Sequence, residues 1–219
     1  MMGRLRGPLA GRALRRACWP MVVVAMVATG GCAGPASPPA VVALASADRF
    51  MAALAVYCGQ AFAGRVLVDA PASATPGPFA GKVLVMHVRG CEDPIHELRV
   101  PFHVGDDHSR TWVLTRTSAG VRLKHDHRHP DGSPDAMTQY GGDSRAGGTA
   151  TRQEFPVDAA SIALFQRLGS TASLENTWAI DIQPGRQLVY ELSRPNGRLL
   201  RVAFDLTRPV ALPPAPWGG

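Results

Sequence analysis

A mainly β (α+β) fold is predicted: an antiparallel meander forming a β-barrel or sandwich, with an N-terminal helix and one short inserted helix. Three observations predict it. Apolar and polar residues alternate strictly over several short segments late in the chain, the period of strands with one buried and one wet face. Gly, Pro and Asn separate those segments where tight turns need them. Helical spacing is confined to two stretches.

The first helix is expected over residues 47–62, with Ser46 as N-cap, Asp48 in the first turn, and Phe50, Leu54 and Tyr57 as its buried stripe. Strands are then expected over residues 64–69 and 82–89, the latter apolar on both faces as a central strand would be. Residues 97–104, 110–117 and 121–127 follow with tight connections, the pattern of a meander. After a strand over residues 149–155, Asp158 caps a short helix carrying Ile162, Phe165 and Leu168, and Gly169 ends it. Three strands close the domain. Their inner faces carry Trp178, Ile180 and Ile182; Leu188, Tyr190 and Leu192; and Leu200, Val202, Phe204 and Leu206. Their outer faces carry Asp181, Glu191, Arg201 and Asp205. About nine strands suit a barrel or a sandwich equally. Residues 130–149 are expected as a long loop, and the Pro-rich residues 209–219 as a polyproline-II tail.

The N-terminus carries a different message. Arg4, Arg6, Arg12, Arg15 and Arg16 precede an apolar run from Met21 to Ala28, with no acidic residue before Asp48. That run is well short of the roughly 20 residues a membrane-spanning helix needs. Basic region, short apolar core and small residues are the order of a secretory leader. Thr29-Gly30-Gly31-Cys32 resembles the lipobox of bacterial lipoproteins, with Thr29 where leucine is usual. The resemblance implies cleavage before Cys32, lipidation of Cys32 and a tether to the membrane. Gly34 stands where a retained lipoprotein typically has aspartate, which implies passage to the outer membrane, facing the periplasm. Without lipidation the chain would be secreted. The organisation expected is therefore a signal peptide over residues 1–31, a tether over 32–44, one β-rich domain over 45–208 and the tail.

Removing the leader changes the charge. Five of the six net positive charges belong to its arginines, leaving a mature chain at +1. Nucleic-acid binders carry clustered basic surface, so nucleic acid is excluded as a partner. Of four cysteines, Cys18 falls in the leader and Cys32 is the lipid site, leaving Cys58 and Cys91. In an oxidising compartment two remaining cysteines most simply form a disulfide. A redox or metal pair would want closer spacing, such as C-x-x-C.

One segment is chemically conspicuous. In a strand, Val121, Leu123, His125, His127 and His129 point one way, and Arg122, Lys124, Asp126 and Arg128 the other. A face that passes from valine and leucine to three imidazoles resembles a barrel mouth, where a polar ligand or a divalent transition metal such as zinc would sit. Further ligands would come from His87, His108 and Asp106. Hydrogen bonds from these imidazoles to Asp106, Asp107 or Asp131 are the competing role.

His127-x-His129-x-Asp131 resembles the first metal motif of the metallo-β-lactamases, but Gly132 replaces that family's next histidine and no histidine follows His129. The same absence counts against an α-carbonic-anhydrase arrangement. Gly142-Asp143-Ser144 resembles the Gly-Asp-Ser of one lipase/esterase family, yet it lies mid-chain with no histidine after it. There is no G-x-S-x-G elbow and no phosphate-binding glycine loop. The globular part resembles uncharacterised exported proteins of Gram-negative bacteria, which implies no chemistry. The expectation is a non-enzymatic, lipid-anchored envelope protein binding a small ligand or a protein partner. The alternative is a metal-binding protein or metal-dependent hydrolase centred on His125 and His127.

Overall fold

The computed structural model describes residues 39–73, 75, 77–146 and 148–219, with side chains from Ser46 onward. The expected leader, Cys32 and the start of the tether lie outside the described residues. Among those described, no helix is long and apolar enough to cross a membrane.

Among the described residues, ten antiparallel strands form one sheet. They are β1 (Ala61–Ala70), β2 (Leu84–His87), β3 (Glu97–Val104), β4 (Asp107–Thr117) and β5 (Gly120–His127) in the first half. The second half holds β6 (Tyr140–Asp143), β7 (Arg152–Pro156), β8 (Thr177–Gln183), β9 (Gln187–Ser193) and β10 (Leu199–Val210). Sequential strands pair throughout, and β10 pairs with β1, so the order β6-β5-β4-β3-β2-β1-β10-β9-β8-β7 curls into a nearly closed barrel. The architecture is thus the barrel, not the sandwich.

The seam lies between β6 and β7. Two backbone hydrogen bonds bridge it, from Asp158 N to the Gly141 carbonyl (2.9 Å) and from Arg145 N to the Glu154 carbonyl (3.0 Å). Glycine makes the approach possible: a Cβ on Gly142 would lie 1.8 Å from the Pro156 carbonyl oxygen. β6 occupies part of the segment expected as a loop. Its four residues, Tyr-Gly-Gly-Asp, carry no apolar alternation, so the strand is held by neighbours and not by its own pattern.

The interior follows the alternation. Phe62, Met86, Leu98, Val100, Phe102, Trp112, Leu114, Val121, Leu123, Trp178, Ile180, Ile182, Tyr190, Val202 and Phe204 belong to one buried cluster. α1 (Pro39–Ala55) adds Ala47, Phe50, Met51 and Leu54 to it. Asp48 accepts a hydrogen bond from Arg116 (2.6 Å), near the β4–β5 turn, and the Tyr57 hydroxyl accepts one from Gly185 N (2.6 Å), in the β8–β9 turn. Both turns lie at the same end of the barrel, so α1 seals that end.

α1 begins earlier and ends earlier than its expected span, taking up residues expected as tether, while Phe62 belongs to β1. The Gln60 backbone already pairs with Val88 (3.0 Å), so ladder bonds end the helix where the apolar spacing alone would extend it. Cys58 and Cys91 form a disulfide that ties the exit of α1 to the β2–β3 connection, closing a span of 33 residues. In the chain-entropy description such a loop stabilises the fold by about 3–4 kcal/mol.

α2 (Ala159–Arg167) connects β7 to β8, followed by a 3-10 turn at Thr171–Ser173. Asp158 caps it as expected, accepting from Ser161 N (2.8 Å), and pairs with Lys124 of β5 (2.5 Å). The tail packs down: Trp217 N donates to the His108 carbonyl (3.1 Å).

Candidate ligand-binding site

The end of the barrel opposite α1 is open. The β1–β2 connection, the β9–β10 turn and the α2 crossover surround it, and a cavity of about 260 Å³ opens there. Its inner wall is aromatic: Phe102 from β3, Trp112 from β4, Trp178 from β8 and Tyr190 from β9, with Tyr140 from β6 and Phe165 from α2. Five of these residues come from strands, each of which turns alternate side chains inward, and Phe165 comes from α2.

The rings are ordered against one another. Trp112 stacks on Tyr190 at a centroid distance of 4.4 Å and 17°, and Tyr140 stacks on His125 at 4.6 Å and 11°. His125 joins the two pairs. Its Nδ1 lies 3.1 Å from the Tyr140 carbonyl oxygen and its Nε2 2.9 Å from the Tyr190 hydroxyl. A carbonyl only accepts, so Nδ1 carries the proton and Nε2 accepts from Tyr190. Burial holds the His125 pKa down at about 3, against the opposing hydrogen bond to Tyr140. The imidazole is therefore neutral and committed at both nitrogens. The Tyr140 hydroxyl has no hydrogen-bond partner among the described residues, and burial raises its pKa to about 12. It stays a neutral donor at the cavity wall.

Three arginines edge this cavity: Arg110, Arg194 and Arg198. Arg110 pairs with Asp107, and Arg198 with Asp69. Arg194 differs. Its Nε donates to the Asn176 side-chain oxygen (2.6 Å), and among the described residues no carboxylate lies within ion-pair distance of it.

The histidines expected as one group are dispersed. His125 lines the cavity, and Val121 and Leu123 are buried on the same face of β5. His127 is half-buried and bonds the Ser109 hydroxyl (2.8 Å); burial first, and then Arg110, lower its pKa. His129 is exposed beside Asp135 (3.6 Å), past the end of β5. Asp106 is exposed in the β3–β4 turn.

His108 lies outside the barrel under the tail, where its ring contacts Trp217 and its Nδ1 lies 2.7 Å from Nδ1 of His103. His87, on β2, is buried, and burial followed by the Arg89 charge lowers its pKa. His103 is held down to about 4, first by burial and then by His108, and its Nε2 is buried without a partner. Among the described residues, no three His, Cys, Asp or Glu side chains come together to hold a metal ion. At His125 a metal would have to displace the Tyr190 hydroxyl.

A second hollow, of about 220 Å³, lies outside the barrel between Arg89, Arg99, Asp126 and the tail residues Pro216–Gly219. Asp126 there is already paired with Arg99 (3.0 Å) and Arg128 (3.1 Å).

The sequence exposed the inward Trp178 and Tyr190 as members of strand faces. Tyr140 was hidden in a glycine-rich stretch without periodicity. Arg194 and Arg198 were hidden by flanking a turn, Pro195-Asn196-Gly197, whose residue types announce only geometry. Comparison of the chain with protein-family models, curated proteins and solved structures gives no match.

Proposed function

We propose that this chain is an exported envelope protein, lipid-anchored through Cys32, whose barrel binds a small, largely apolar ligand in the mouth cavity without transforming it. The observation that carries the reading is the open, aromatic-lined cavity of about 260 Å³, a short way below the roughly 300–1,000 Å³ of sites for drug-sized ligands. Sealed at one end by α1 and stapled by the disulfide, the barrel offers a cavity whose walls are held before any ligand arrives. Its stacked rings bring large apolar area at little entropic cost, since each is fixed by its neighbours. His125 belongs to that frame: it orients Tyr140 and Tyr190, and its neutral, doubly engaged ring has no proton to exchange near neutral pH.

Titration with N-phenyl-1-naphthylamine, a neutral aromatic probe that fluoresces in apolar surroundings, tests the reading. One saturable site per chain is expected, with quenching of tryptophan emission because Trp112 and Trp178 line the cavity. No binding, or weak unsaturable binding at many sites, would remove the reading.

A further inference from the structure

Resting on that cavity reading, we propose that the ligand is a small amphiphile with one carboxylate head, taken up by Arg194 at the rim while the apolar body lies among the aromatic rings.

Of the three rim arginines among the described residues, Arg110 and Arg198 are neutralised by Asp107 and Asp69, and Arg194 meets a neutral amide. Asn176, which supplies that amide oxygen, is buried, and its backbone is fixed by bonds to Val157 and Ser173. The amide therefore holds the guanidinium by one edge. The two terminal nitrogens have no hydrogen-bond partner among the described residues. A guanidinium held by Nε presents its remaining donors as a planar fork, the geometry that matches a carboxylate.

The environment makes this cation costly unless an anion joins it. Burial and the neighbouring Arg198 both act against its positive charge. A bound anion offsets that opposition. One uncompensated positive charge calls for one negative charge. That favours a carboxylate over a phosphate dianion, which would need a second unpaired cation that the rim does not supply.

Size sets the body. A cavity of about 260 Å³ holds the volume of about eight or nine waters at ~30 Å³ each. A chain of about eight carbons fills it, and a larger aromatic body fills it while reaching out through the open mouth. The Tyr140 hydroxyl is one further polar point that such a body meets on the wall.

The test is direct calorimetric titration of the whole protein with octanoate, 1-octanol and octyl phosphate, with N-phenyl-1-naphthylamine binding measured in parallel. Octanoate is expected to bind at least about tenfold more tightly than octanol, the worth of one charge-assisted hydrogen-bonded pair. Arg194→Gln should abolish that difference while the neutral probe still binds; Arg194→Lys should restore part of it.

Equal affinities for octanoate and octanol, with the neutral probe still bound, would overturn the carboxylate proposal and leave the cavity reading standing. Tighter binding of octyl phosphate than of octanoate would overturn the choice of head group. A preference for octanoate that survives in Arg194→Gln would overturn the assignment to Arg194. Failure of all four compounds to bind would overturn both readings.

Discussion

The two ends of the barrel are made from the same strands and are finished in opposite ways. At the α1 end, Phe50, Met51 and Leu54 drop into the interior and are almost wholly removed from water. At the mouth, the inward positions carry rings with polar tips, and these line a cavity of about 260 Å³. The contrast teaches where stability and binding are placed. The sealed end joins α1 to β4 and to the β8–β9 turn. The open end orders its side chains through mutual stacking and through His125, and leaves room.

The comparison can be broken most severely at the sealed end. Phe50→Ala removes a ring that is 0% exposed, and should cost about 3–5 kcal/mol. For a domain of this size that is a fall of roughly 10 °C in Tm. Calorimetry checks it; an unchanged Tm would mean that α1 does not seal the barrel.

Acid acts on the other half. His125 and His103, both toward the mouth end, have folded pKa values of about 3 and about 4, below the 6.5 of a free imidazole. The unfolded chain therefore binds protons first as pH falls, and the stability these groups contribute above pH 6.5 is lost progressively below it. By pH 5 the loss is on the order of 2 kcal/mol for each. Carboxylates contribute little between pH 7.5 and 5, because their unfolded pKa values lie lower. A Tm that falls over that interval, and falls less in His103→Asn, is expected; a flat profile would show that neither imidazole is buried neutral.

How much of this was legible in the sequence divides along the same line. The alternating faces of β8, β9 and β10 and the capped helix after Asp158 were readable because each rests on a local rule: strand period, turn chemistry, an N-cap. The pairing of Cys58 with Cys91 came from counting. The choice of barrel over sandwich rests on the pairing of β10 with β1 and on Gly142 passing against Pro156, contacts between distant residues that no local pattern encodes. The strand period predicted that Val121, Leu123 and His125 share the inward face. His127 and His129 part from it because β5 ends there, and its partner strand β4 begins with Asp107. His108 and His87 belong to the outer face, and the tail lies against His108 alone of the two among the described residues; they share a residue type and no common place. Arg194 was invisible because what sets it apart is the absence, among the described residues, of a carboxylate beside it.

The mouth should be the end where a substitution changes binding and leaves stability alone. Ser173 lines the cavity from the 3-10 turn, is half-buried, and uses only its backbone in hydrogen bonds. Ser173→Trp puts an indole into the opening without touching the packed interior, and should shift stability by no more than about 0.5 kcal/mol. The measurement is N-phenyl-1-naphthylamine affinity of this variant beside its Tm. Loss of the saturable site with an unchanged Tm is the result predicted for a ligand cavity at the barrel mouth. Wild-type affinity in a protein that keeps its Tm would contradict it.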